Sequence, residues 1–167
     1  VLCFGLLFST VAQTLLTIAR DPKHLGADIG FFAVLHTWGQ NLLHHPHLHC
    51  VVPGGGLSSD RTRWVACKRS RKSKKSFLLP VRVLSRLFRR LFLQGLSAAF
   101  QAGSLRLAGR LSPLRDPVAF ASCLDEARAT EWVVYAKHPF GGPDIVLAYL
   151  GRYTHRVALT NHRLVSI

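Results

Sequence analysis

The chain has 167 residues, with 22 Lys and Arg against eight Asp and Glu, a formal charge of +14 and an isoelectric point near 10.9. That length supports one domain, or one domain with extensions, and can bury a sizeable core. The charge points to a polyanionic partner, nucleic acid or an anionic membrane surface. No acidic residue falls between positions 29 and 59, which counts against metal sites built from carboxylates there.

Cys3, Cys50, Cys67 and Cys123 lie far apart and form no CxxC pair. Neither a zinc ribbon nor a disulfide framework is indicated, and the cytoplasm is the expected compartment. A start at Val1 and the lack of methionine read as a piece of a longer frame.

Residues 2–19 are uncharged, as in a signal peptide or membrane span. Ser9, Thr10, Gln13, Thr14 and Thr17 dilute the run, while Leu7, Val11, Leu15 and Ile18 recur at helical spacing. The expectation over 1–20 is a helix packed on one face, with no membrane partner. Residues 22–30 form a polar connection. Residues 30–36, Gly-Phe-Phe-Ala-Val-Leu-His, read as a buried strand ending on His36. The link 37–43 is too short for a parallel crossover, so an antiparallel hairpin follows.

Its second strand lies in His44-His45-Pro46-His47-Leu48-His49-Cys50-Val51-Val52-Pro53, which holds four of the nine histidines. With prolines bracketing it, a strand is expected over 47–52. Alternation then puts Leu48, Cys50 and Val52 on a core face, and His47, His49 and Val51 on the other. Two imidazoles on one strand face make a pair of metal ligands. His36, near the end of its strand, could reach this face as a further ligand or be a core histidine, and His44 and His45 compete with it.

Residues 53–60 form a turn whose three glycines allow either close approach of a partner or a flexible exit. From Arg61 to Lys75 there are eight Lys and Arg, with Trp64 among them. Arg82, Arg86, Arg89 and Arg90 follow on a helix expected over about 80–100, with an apolar stripe of Leu84, Leu87, Phe88 and Leu91. A basic segment running into a basic amphipathic helix suits phosphate-backbone binding. A solvated, low-complexity loop is the plain reading of 68–75. The DNA-contact candidates are Arg61, Arg63, Lys68, Arg69, Arg82, Arg86, Arg89, Arg90, Arg152 and Arg156.

After a Gly/Arg/Pro-rich connection at 101–117, a helix is expected over 117–130, with Val118, Phe120 and Leu124 as its apolar residues. A strand of strong β-formers is expected over Glu131–Lys137. Pro143 then opens a helix near 144–154. On it Tyr149 and Tyr153 are spaced i, i+4 and project from one face. Residues 155–167 read as a hairpin turning near Asn161.

Together these words resemble a known family. His47-Leu48-His49 is similar to the His-hydrophobe-His motif of HUH endonucleases. The segments Leu35-His-Thr-Trp-Gly-Gln-Asn, His45-Pro-His-Leu-His-Cys-Val-Val-Pro-Gly-Gly-Gly and Ala148-Tyr-Leu-Gly-Arg-Tyr-Thr-His-Arg-Val-Ala look like the two-tyrosine transposases of rolling-circle insertion sequences. The resemblance covers the chain from about Leu7 onward.

The resemblance implies an α+β fold in which helices pack on an antiparallel sheet with a central histidine strand and a ferredoxin- or RRM-like core. Residues 1–167 would be one catalytic domain, truncated at both ends, with 61–76 as a basic loop or insertion. It implies Mg²⁺ or Mn²⁺ on His47, His49 and a third ligand, and Tyr149 and Tyr153 as catalytic nucleophiles. The substrate would be single-stranded DNA at transposon ends and targets, cut through a 5′-phosphotyrosine. Competing readings are a silent DNA-binding module of the same fold, a His-x-His metallohydrolase and a membrane-surface protein.

Overall fold

The two histidine-bearing strands pair as the short link requires. In the computed structural model, which describes residues 2–38, 44–67, 79–137 and 142–154, β1 (Phe32–Trp38) runs antiparallel to β2 (His44–Val51). The register sets Val34 opposite His49 and His36 opposite His47, then slips before the Trp38–His44 pair. Two residues of β2, His45 and Pro46, thus oppose one of β1. A bulge tolerates a proline because the extra residue donates no ladder hydrogen bond. The strand therefore starts at His44, not after Pro46 as the bracketing prolines suggested.

Alternation then does the sorting. Cys50, with Val52 just beyond β2, packs on a core built from Leu15, Ile18 and Ala19 of α1 (Leu2–Arg20), Leu25, Ala27 and Ile29 of the following segment, Leu79, and Leu84 of α2 (Val81–Gln101). His36, His47 and His49 take the opposite face of the hairpin. Along α1, Thr10 and Thr14 are buried together with Leu15, Ile18 and Ala19. Leu7 and Val11 are only half-buried, so the core face is turned from the expected stripe. Among the described residues α1 is the one helix long and apolar enough to cross a membrane. Here it packs on α2. A Cβ on Gly95 of α2 would sit 2.3 Å from Leu6 Cδ1, so glycine permits the close approach.

A second antiparallel pair, β3 (Gly55–Leu57) and β4 (Trp64–Ala66), follows directly. The glycine run serves the chain's own packing. A Cβ on Gly56 would lie 2.4 Å from the Asp28 carbonyl oxygen. Asp28 and Leu57 exchange two backbone hydrogen bonds of 2.8 Å.

The far half of α2 joins a second core, where Leu93, Phe120 and Leu124 are buried and Phe100 stacks on Phe120 at 4.0 Å. A 3₁₀ helix (Gly109–Arg115) lies within the connection before α3 (Pro117–Ala129). Asp116 caps α3 by accepting from Ala119 N at 2.8 Å. Val118 is 76% exposed and stands outside the core it was expected to join. Residues 131–137 alternate strictly between exposed and half-buried. They form no ladder among the described residues. Helix α2 holds this end of the segment by side-chain bonds: Ser85 Oγ donates to the Trp132 carbonyl at 2.5 Å, and Arg89 Nη1 donates to the Thr130 carbonyl. The described fold is α+β, with two small antiparallel sheets and helices. In it β2 pairs with β1 on one side. Among the described residues it has no second neighbour, so the expected place at the centre of a wider sheet is not seen there; the expected terminal hairpin lies outside the described residues.

Candidate metal and tyrosine site

Cross-strand pairing gathers the imidazoles. His36 is 4% exposed, and its ring centroid lies 4.2 Å from that of His49 and 5.3 Å from that of His47. One ring nitrogen from each of His36, His47 and His49 lies within 4.8 Å of the others, so the three could hold a metal ion. Of the three residues the sequence left competing, His36 is the one the structure brings beside His47 and His49. His44 and His45 are exposed at the bulged end. His45 contributes through its backbone, since its carbonyl accepts from His47 Nδ1 at 2.7 Å.

That bond sets the tautomers. A carbonyl only accepts, so the proton of neutral His47 sits on Nδ1 and its Nε2 carries a lone pair. His49 Nε2 lies 3.0 Å from His47 Nε2 and must donate to it. His49 Nδ1 then accepts from the Tyr149 hydroxyl at 2.8 Å. Helix α4 (Pro143–Thr154) therefore delivers Tyr149 onto the histidine face from 100 residues away.

The donor set fits a divalent ion. Two nitrogen ligands at about 2.1 Å from a metal and at right angles lie about 3.0 Å apart, which matches the His47–His49 spacing. Three imidazoles favour borderline metals over hard magnesium. Cys50 is turned to the core, and burial pushes its thiol up to about 11, so it offers no thiolate.

Tyr153 sits on α4 one turn beyond Tyr149; its side chain is outside the described residues. Of the basic candidates, Arg61, Arg63, Arg82, Arg86 and Arg90 are exposed. The last three share one face of α2 at i, i+4 spacing. Arg89 is half-buried and holds the Thr130 carbonyl, a structural bond that the basic pattern hid. Lys68, Arg69, Arg156 and the Arg152 side chain lie outside the described residues.

Comparison with known proteins bears on the family. A family model described as "Putative transposase" matches residues 30–167. The chain is 63% identical over 166 residues to "Putative transposase y4qJ" of Sinorhizobium fredii, covering 99% of this chain and 40% of that protein. It is 43% identical over 51 residues to "Transposase for insertion sequence element IS801" of Pseudomonas savastanoi pv. phaseolicola, covering 30% of this chain and 12% of that protein. The chain thus spans well under half the length of these relatives. No solved structure matches it. A family match over most of its length, joined to histidines and a tyrosine helix that meet in space, places the chain in the two-tyrosine transposase family.

Proposed function

We propose that this chain carries the catalytic centre of a single-stranded DNA nicking and joining transposase that acts on insertion-sequence ends in the cytoplasm. The observation that supports it most is the Tyr149 hydroxyl 2.8 Å from His49 Nδ1, with His49 itself one of three clustered imidazoles.

His36, His47 and His49 would hold a divalent ion, Mn²⁺ in preference to Mg²⁺. When bound, such an ion supplies a Lewis acid for a phosphate oxygen. A free phenol, with a reference pKa near 10, is a poor nucleophile at neutral pH. His49 answers this. With its Nε2 held by such an ion, His49 would carry its proton on Nδ1 and the bond to Tyr149 would reverse. Nδ1–H would then donate to the phenol oxygen, and a hydrogen bond to the charged form favours phenolate.

Tyr149 Oη, its proton released to water, attacks phosphorus and the bond to the 3′ oxygen breaks. The DNA 5′-phosphate stays on Tyr149, and the released oxygen takes a proton to become a 3′-hydroxyl. Attack by a 3′-hydroxyl reverses the step and frees the tyrosine, so joining needs no nucleotide triphosphate. Tyr153, about 6 Å further along the helix and turned by roughly 40°, cannot share the attack position with Tyr149. It takes a second strand.

The test is labelled single-stranded transposon-end DNA with Mn²⁺, run on a denaturing gel. A covalent adduct should form, survive Phe at either tyrosine, and vanish in the double Phe variant and in His47→Ala or His49→Ala. Salt-sensitive binding with no adduct would leave only a DNA-binding module.

A further inference from the structure

The β3–β4 hairpin carries an exposed aromatic that the proposed chemistry does not use. Leu57 and Trp64 are directly paired across the two strands, so they share its outer face, and they are 44% and 55% exposed. The indole is seated on glycine: a Cβ on Gly55 would lie 2.6 Å from Trp64 Nε1 and 2.8 Å from Cε2. The inner face, through Val65, packs on the first core. Trp64 is thus laid over bare backbone on a supported hairpin, with much of its ring open to solvent.

The connecting loop is pinned and its rim is cationic. Asp60 accepts from Ser58 Oγ at 2.5 Å and from Thr62 N at 3.1 Å. Those bonds, with the nearby Arg63 charge as a smaller contribution, hold its carboxyl down at about 2. Ser58 Oγ in turn accepts from Arg63 N at 3.1 Å. The loop's one carboxylate is therefore engaged within the loop, while Arg61 and Arg63 are exposed and in no ion pair among the described residues. Arg61 has φ 58°, the one positive value at a non-glycine residue among those described. Glycine or asparagine would hold that conformation at lower cost. An arginine there puts a cation at the loop tip against backbone preference.

We propose that the outer face of this hairpin is a stacking platform for an unpaired DNA base, with the Trp64 indole against the base and the Arg61 and Arg63 guanidinium groups on the flanking phosphates. The platform rests on the reading of the chain as acting on single-stranded DNA, and adds a second place where the strand is held. Aromatic faces between cations are how unpaired strands are gripped without sequence readout. A protein partner fits less well, because a stable interface needs about 800 Å² per side and the apolar patch is two side chains. Gly55 follows His49 by six residues, so their Cα atoms are at most about 22 Å apart. That is roughly six stacked nucleotides, within one strand's reach of the histidines.

The test compares binding of a fluorescent oligothymidylate and of an abasic strand of equal length and charge to the full chain, with no metal added. Trp64→Ala should weaken oligothymidylate binding by about 5- to 150-fold and leave abasic binding unchanged, while Trp64→Phe restores most of the loss. Arg61→Gly should weaken both strands while raising the melting temperature, which a purely structural arginine would not do. A 5-iodouracil strand should photocrosslink to Trp64. Equal binding by wild type and Trp64→Ala, or equal loss on both strands, would overturn the platform, as would a crosslink confined to other residues. Tyr149→Phe separates the two readings: it abolishes the proposed chemistry at that residue but must leave the thymidylate preference intact. A Trp64 effect without any adduct would sink the chemistry and keep the platform, and an adduct without a Trp64 effect would do the reverse.

Discussion

Gly56→Ala should be among the most damaging single substitutions in the described fold. The new methyl would sit 2.4 Å from the Asp28 carbonyl oxygen and 3.0 Å from both Asp28 C and Ile29 Cγ2. Relief requires β3 to move away from Asp28 by about 1 Å, because an ordinary carbon–oxygen contact is near 3.4 Å. The two Asp28–Leu57 hydrogen bonds, now 2.8 Å each, would then pass out of bonding range. Two lost bonds at about 1 kcal/mol each and overpacking of about 1–3 kcal/mol give a loss of about 3–5 kcal/mol. That is a large part of the 5–15 kcal/mol typical of a domain. Urea denaturation should show it as a midpoint lower by about 2 M, for a slope near 2 kcal/mol/M. Gly54→Ala is the control, since its Cβ would meet only Cys67 Sγ at 3.9 Å, and it should be close to neutral. A Gly56→Ala protein within about 0.5 kcal/mol of wild type would refute the close-packing argument.

Other expectations follow from the site and its surroundings. His36→Ala should weaken Mn²⁺ binding, read by calorimetry, by about 100-fold or more, whereas His45→Ala should change it little; unchanged affinity in His36→Ala would remove His36 from the ligand set. In salt titrations of single-stranded DNA binding, Arg86→Ala should flatten the log–log slope by about 0.7. Arg89→Ala should leave the slope alone and cost about 1–2 kcal/mol of stability, and a slope change would show that Arg89 meets phosphate. Iodoacetamide at pH 8 should label exposed Cys3 and Cys123 before Cys50, whose neutral thiol is held to about pH 11. Because that value is raised from about 9 by burial, the Cys50 contribution to stability is complete below pH 9 and is lost as pH climbs from 9 toward 11. Early labelling of Cys50 in the folded chain would contradict its burial.

The strand pair and four helices were legible because alternation, prolines and helical spacing are local signals. The link of 37–43 forced the antiparallel hairpin, and Pro117 marked the start of α3. What local signals missed were cross-strand facts. His36 was one of three competing ligands until pairing set it opposite His47. Pro46 read as a strand boundary because a bulge depends on the partner strand. The glycine run read as an approach for a ligand or a loose exit, whereas Gly55 and Gly56 yield space to Trp64 and Asp28. Arg89 looked like its neighbours in the basic stripe, and only the position of Thr130 gives it another task. The strand expected at 131–137 has the right alternation, but propensity cannot supply a pairing partner.

The most direct test of the account is identification of the residue that carries DNA. The covalent product of the Mn²⁺ reaction is digested with nuclease and protease, and the nucleotide-bearing peptide is sequenced by mass spectrometry. The account predicts a 5′-phosphate ester on Tyr149, whose hydroxyl already meets His49, with a second population on Tyr153. An adduct on the exposed Tyr135 alone, or one that forms undiminished in the Tyr149→Phe, Tyr153→Phe double variant, would contradict it.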